Sequence, residues 1–255
     1  METEKDSTIN AESILKLIKM PDLLSIVNAL LGFTAIILVL TGVREEAIKN
    51  AVVLILAAAV IDGLDGMVAR TIECSPIGKY LDSLADMISF GVAPAIVAYA
   101  LLTNYLGVSY YMYVDVVLAF CGAYVICGLL RLARFDANAS SESAQKEERR
   151  DFVGFPITGG AIFLAAFMLL AVETHLAPYT CSFILISLMC VLCIVMTSRI
   201  RYRNIRDMRI VISLGIIFLT LFIFYICSLP FVYPAVIIVA LTAIYIGSPL
   251  MRVLR

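Results

Sequence analysis

The chain has 255 residues and a net charge of −1, with 62% of its residues hydrophobic and only 15% charged. A soluble domain of this length has roughly half its residues apolar and about a quarter charged, so a water-soluble core is excluded. The near-zero net charge points to no nucleic-acid partner, and the placement of charge along the chain carries the information instead.

Residues 1–21 read as a cytoplasmic N-terminus. It begins acidic and polar and lacks a basic stretch followed by an apolar core and a cleavage site, so no cleaved signal peptide is expected. Residues 12–20 have the pattern of a short amphipathic helix lying on the membrane surface. Apolar runs of about 18 to 25 residues, the length that crosses a bilayer, then recur. They lie at 22–42, 48–70, 78–103, 110–134, 155–174, 178–198, 209–228 and 231–250. The expected fold is an all-α membrane protein of about eight transmembrane helices. Residues 22–250 form one transmembrane catalytic domain, and 251–255 form a cytoplasmic tail. The polar stretch 136–151 is expected to be a mobile cytoplasmic loop.

Basic residues test the count. Lys5, Lys16 and Lys19 precede the first run, and Arg70 and Lys79 flank the second connection. Arg131, Arg134, Lys146, Arg149 and Arg150 lie at the fourth, and Arg199, Arg201, Arg203, Arg206 and Arg209 at the sixth. Arg252 and Arg255 end the chain, while the third, fifth and seventh connections have no Lys or Arg. The first has Arg44 and Lys49 offset by Glu45 and Glu46. This alternation fits an even number of spans in a multi-pass cell-membrane protein with both termini in the cytoplasm. The seven cysteines, six of them inside apolar runs, read as small packing residues rather than as a disulfide or metal framework. The one histidine, His175, falls on the side away from the basic connections and is expected to have no catalytic part.

Four acids interrupt the second and third runs: Asp62, Asp65, Asp82 and Asp86. Each charged side chain in a membrane helix costs about 2.5–3.5 kcal/mol on insertion scales, so the cluster needs a compensating reason. Asp62 and Asp65 share one helical face, and Asp82 and Asp86 share another. The short Arg70–Gly78 connection forces an antiparallel return, which turns the two pairs toward each other. Only Arg70 and Lys79 are near to offset four carboxylates, and two divalent cations would balance the charge. Oxygen-only ligation selects hard ions such as Mg²⁺ or Mn²⁺, and paired ions of this kind serve phosphoryl displacement. Gly66 leaves room for a ligand against the helix, Ala69 is small on the same face, and Gly78 opens the returning helix. Arg70 can hold a phosphate through its planar fork of donors. Helix capping or ion pairing would have to explain four acids, two glycines and an arginine together. A divalent-cation carrier explains the acids but not the residues arranged around them.

The run Asp62-Gly-Leu-Asp65-Gly66-Met-Val-Ala69-Arg70, then Gly78-Lys-Tyr-Leu-Asp82-Ser-Leu-Ala-Asp86, resembles the signature of the CDP-alcohol phosphatidyltransferases. That signature is DxxDGxxAR, a spacer and GxxxDxxxD; the spacer here, Thr71 to Ile77, is one residue shorter than usual. The resemblance implies a six-helix core, here with two further C-terminal helices, and a homodimer. It implies Asp62, Asp65 and Asp82 as metal ligands, with Asp86 as a general base close to a metal. It also implies Gly66, Ala69, Arg70 and Gly78 around the cytidine diphosphate of a CDP-linked lipid. An alcohol would attack the lipid-linked phosphorus and CMP would leave.

Other segments are similar to the phosphatidylserine synthase branch. They are Met87-Ile-Ser-Phe-Gly-Val-Ala-Pro94, Gly128-Leu-Leu-Arg131-Leu-Ala-Arg134-Phe135, Phe152-Val-Gly154-Phe-Pro156 and Ser198-Arg-Ile-Arg201-Tyr202-Arg203. Pro21-Asp22-Leu-Leu-Ser25-Ile-Val-Asn28-Ala-Leu-Leu-Gly32-Phe33 resembles that branch's first helix, with Asp22 where Asn is usual, and places Ser25 and Asn28 among the CDP-lipid contacts. L-serine is then the expected acceptor, its carboxylate met by Arg131 and Arg134, with glycerol 3-phosphate or inositol phosphate as the alternatives. The Arg199–Arg209 cluster reads as topology and contact with anionic membrane lipids.

Overall fold

The computed structural model of the chain describes residues 18–42, 45–68, 75, 77–105, 111–141, 152–202, 220, 223–224 and 231–253. Helix α1 spans Met20–Thr41 and α2 spans Glu45–Val68. The third apolar run is one rod in four pieces: α3 (Gly78–Asp86), a π-helical turn (Met87–Val92), α4 (Ala93–Ala100) and a π-helical end (Leu101–Tyr105). Then come α5 (Tyr111–Ser141), β1 (Phe152–Val153), α6 (Ile157–Glu173), α7 (Pro178–Thr197), β2 (Arg201–Tyr202) and α8 (Val232–Val253). Five of these segments are long and apolar enough to cross a membrane, and Ile157–Glu173 and Val232–Gly247 are shorter apolar helices. The expected run 209–228 lies outside the described residues except for Thr220, Ile223 and Phe224, which are helical. Residues 12–17 of the expected surface helix also lie outside them.

Helix α1 shows why the bundle needs lipid around it. Asp22, Ser25, Asn28, Gly32, Ala35 and Val39 recur at three- and four-residue steps and are buried. Leu23, Val27, Leu30, Phe33, Ile37 and Leu40 occupy the other face and are exposed. Small and polar residues inside with large apolar residues outside invert the pattern of a soluble helix. They fit a helix whose outer face is solvated by acyl chains and whose inner face allows close backbone approach.

The rod 78–105 is the centre of the bundle. Within its membrane span 67% of the residues are buried, against 28–33% for the other four. It packs on α1, α2, α5 and α6, while α7 lies on α5 and α8 lies on α6. Helix α6 is buried nearly all round, from Ile157 to Val172. At the end of the bundle away from the aspartates, Lys49 pairs with Glu45 at 2.6 Å and with Glu173 at 2.8 Å. Lys49, one of the two basic residues of the first connection, is thus neutralised in place.

One expectation changes. Residues 136–141, read from composition as the start of a loop, continue helix α5. A helix leaving the bilayer no longer needs apolar residues, and Lys79 Nζ holds this extension by donating to the Asp136 carbonyl at 2.9 Å, with the Asp136 carboxylate 3.7 Å away. The chain also has a short antiparallel strand pair, with Phe152 opposite Tyr202 and Val153 opposite Arg201. Among the described residues Cys121, Cys127, Cys181, Cys190 and Cys193 are free thiols, with Cys121 and Cys181 buried and Cys190 exposed.

Candidate active site

The end of α2, the start of α3, the end of α5 and the start of α6 meet at one end of the bundle. Asp62 comes from α2, and Asp82 and Asp86 from one face of α3. One carboxylate oxygen from each lies within 4.8 Å of the other two, so this trio can hold a metal ion. Asp86 is buried and is the last residue of α3 before the π-helical turn. The usual helical donor to the Phe90 carbonyl would be the residue four places on, which is Pro94 and has no N–H, and the Tyr124 hydroxyl of α5 donates to that carbonyl at 3.0 Å instead. The junction beneath Asp86 is therefore fixed by a neighbouring helix.

Asp65 is not part of the trio. The hydroxyl of Ser25 donates to its Oδ2 at 2.8 Å, and its Oδ1 is buried with no partner. Asp22, on the same end of α1, is close enough to Asp65 to interact electrostatically. Gly78 starts α3 against this group: a Cβ there would come 2.6 Å from Asp22 Oδ1. Glycine lets the returning helix begin here without displacing the Asp22 carboxylate. Asn28 reaches Asp86, donating from Nδ2 to Oδ1 at 3.2 Å. Gly66 lies within α2, while Ala69 and Arg70 lie outside the described residues.

The two arginines at the end of α5 have different surroundings. Arg131 is 9% exposed, lies 5.4 Å over the ring of Phe135 and interacts electrostatically with Asp86 and Asp62. One turn earlier Gly128 admits the Ile157 side chain of α6, which a Cβ would meet at 2.7 Å. Arg134, the other arginine expected to meet the acceptor, is engaged by the end of α7. Its guanidinium donates to the carbonyls of Met196 at 3.1 Å, Thr197 at 3.2 Å and Ser198 at 3.2 Å. These carbonyls end α7, where the helix dipole and the unpaired acceptors favour a cation. Gly154, at φ +85°, lies against the same guanidinium, donates its N–H to the Ile200 carbonyl at 2.8 Å and precedes Phe155, whose N–H donates to Val195 O at 3.2 Å. Three of the sequence segments singled out above, around Arg134, Gly154 and Ser198, thus form one clasp that ties α5 and the start of α6 to the end of α7.

Residue-by-residue reading missed Thr158. Its hydroxyl donates to Asp62 Oδ2 at 3.3 Å from the first turn of α6. The one signal was its position two residues past Pro156, which caps the start of that helix.

Comparison with known proteins finds a family and named relatives. The sequence model described as CDP-alcohol phosphatidyltransferase matches residues 18–197. The chain is similar to the archaetidylserine synthase of Methanothermobacter thermautotrophicus, 33% identical over 203 residues, which are 78% of this chain and 76% of that protein. It is similar to the CDP-diacylglycerol–serine O-phosphatidyltransferase of Mycobacterium leprae, 37% identical over 155 residues, 60% of this chain and 48% of that one. The Helicobacter pylori protein of the same name is 34% identical over 157 residues, 61% of each chain. The chain thus spans about half to three-fifths of these two bacterial relatives and more of the archaeal one.

Proposed function

The chain belongs to the CDP-alcohol phosphatidyltransferase family, and from that premise we propose that it transfers a phosphatidyl-type group from a CDP-linked lipid to the hydroxyl of L-serine. The observation that carries the proposal is the trio Asp62, Asp82 and Asp86, gathered within 4.8 Å from both halves of the motif, with Arg131 beside it. The acceptor comes from the names of the relatives and from Arg131, the one arginine buried among the described residues, which suits a carboxylate.

Asp62, Asp82 and Asp86 would hold one divalent cation, Mg²⁺ or Mn²⁺, and Asp65, with its unpartnered buried oxygen, would contribute to a second. Bound there, the cations supply charge neutralisation for the pyrophosphate and for the departing phosphate. The chain's own groups do the rest. Arg131 orients serine through its carboxylate. Asp86 accepts the hydroxyl proton as the serine oxygen bonds to the lipid-linked phosphorus, and the bond from that phosphorus to the CMP oxygen breaks. Ser25 and Asn28 fix the carboxylates from α1. Gly66, Ala69, Arg70 and Gly78 belong to the proposed nucleotide surroundings through the motif. We infer also that the site and both termini face the cytoplasm, supported by the alternating basic connections, and that residues 22–250 work as one catalytic domain in a homodimer, on the family resemblance.

The test is CMP release by purified protein given CDP-lipid, Mn²⁺ or Mg²⁺, and a panel of alcohols. Release with serine is expected. Release with glycerol 3-phosphate or inositol phosphate and none with serine would overturn the acceptor. Cation movement across liposomes without nucleotide, and no CMP release, would replace the transferase with a carrier.

A further inference from the structure

The contacts around Asp86 single out a residue on α1. Asn28 is fully buried, and its Nδ2 donates to Asp86 Oδ1 at 3.2 Å. Its backbone carbonyl accepts the Ser89 hydroxyl at 2.7 Å, and Ser89 lies in the π-helical turn that follows Asp86. One turn along α1 the same two segments touch again: a Cβ on Gly32 would come 2.5 Å from Ser89 Oγ and 2.6 Å from Ser89 Cα. A single residue thus grips both sides of the junction where α3 passes into the π turn, one side through its amide and the other through its backbone.

The other end of the amide is informative too. Asn28 Oδ1 is buried and has no partner. Buried polar atoms are nearly always paired, and an exception calls for a reason. Here the side chain is anchored through its donor end alone, so its orientation is set by the Asp86 carboxylate. The residue type fits that task. A lysine would neutralise Asp86, and an aspartate would add one more acid to the cluster.

We propose that Asn28 is a positioning residue for Asp86: its amide holds Oδ1 and so presents Oδ2 to the reacting hydroxyl. This rests on the transferase reading and on Asp86 as the base, and it differs from the nucleotide contact that the family resemblance implies for Asn28. A residue holding a reacting carboxylate acts on the chemical step, while a nucleotide contact acts on donor binding.

The experiment compares wild type with Asn28→Leu, which keeps the approximate shape and removes the donor. CMP release is measured against both CDP-lipid and serine with Mn²⁺ saturating, and thermal unfolding in detergent reports the fold. The expected result is a kcat lower by about 10- to 100-fold with the KM for CDP-lipid nearly unmoved. Asn28→Ser, whose shorter side chain cannot span to Asp86, carries the same expectation should the leucine variant fail to fold. An unchanged kcat, or a raised KM for CDP-lipid alone, overturns the positioning role while wild-type turnover leaves the transferase standing. No CMP release from wild type with any alcohol removes the transferase reading and this role together.

Discussion

Thr158 donates its hydroxyl hydrogen to Asp62 Oδ2 at 3.3 Å, which joins the first turn of α6 to the acidic end of α2. The contact spans 96 positions of sequence. It therefore holds the proposed metal site to a helix outside the motif hairpin. Hydrogen bonds that orient metal-ligating carboxylates commonly matter nearly as much as the ligands. Thr158→Val keeps the branched shape and deletes the donor. Mn²⁺ affinity and turnover should each fall by about 10-fold, with unfolding temperature little changed. Mn²⁺ titration followed by electron paramagnetic resonance, beside CMP release, checks this; an unaltered affinity would reduce the contact to packing.

Chelation gives the broadest test of the carboxylate trio. EDTA should abolish CMP release, and added Mg²⁺ or Mn²⁺ should restore it, because Asp62, Asp82 and Asp86 repel one another without a cation between them. Asp86→Asn separates binding from chemistry. It should lower turnover by about 10²- to 10⁴-fold, the range of a lost general base, while CDP-lipid binding remains measurable. Turnover near wild type in that variant would remove Asp86 as the base.

How far these residues could be seen in advance differs with the physics that places them. Asp62, Asp82 and Asp86 are close in sequence and lie on two helices joined by a short return, so helical period and hairpin closure alone bring them together. The bundle was legible for the same reason, since each span is set by local apolar length. Asn28 and Ser25 sit on α1, and resemblance marked them without saying that they touch Asp86 and Asp65. That pairing depends on which face α1 turns to α3, a tertiary fact with no local period of its own. Thr158 was invisible because a lone threonine at a helix start reads as local structure. At Arg134 a cation near acids suggests a ligand, and its hydrogen bonds to the three carbonyls ending α7 depend on tertiary packing that the sequence does not display. Residues 136–141 misled through composition, which signals solvent exposure and not the loss of helix.

The two arginines should separate cleanly in kinetics. Arg131 is buried beside Asp86 and Asp62, so loss of its charge should appear as loss of serine binding. Arg131→Gln should raise the serine KM by about 10- to 100-fold, the value of one charge-assisted hydrogen bond of about 1.5–3 kcal/mol. Arg134→Gln should leave that KM nearly unchanged and lower stability by about 1–2 kcal/mol through the uncapped end of α7. Steady-state kinetics and thermal unfolding of both variants decide it. The reverse pattern would return the acceptor role to Arg134.

Gly154 tests whether the clasp matters to the fold. Its φ of +85° is a conformation that side chains rarely adopt, and a Cβ would meet Arg134 Nη2 at 2.5 Å and the Met196 carbonyl at 2.6 Å. The first contact could relax by moving the guanidinium, but that breaks the hydrogen bonds to the end of α7. The second is backbone and cannot move without shifting α7 itself. Gly154→Ala therefore combines backbone strain with loss of the Arg134 cap, and should destabilise the protein by about 2 kcal/mol or more. Since the strands and Phe155 hang from the same point, α6 and Thr158 should shift with it, and turnover should fall together with stability. Thermal unfolding and CMP release measured on one preparation make the check. A stable variant with lost activity would mean that Gly154 serves the substrate and not the clasp.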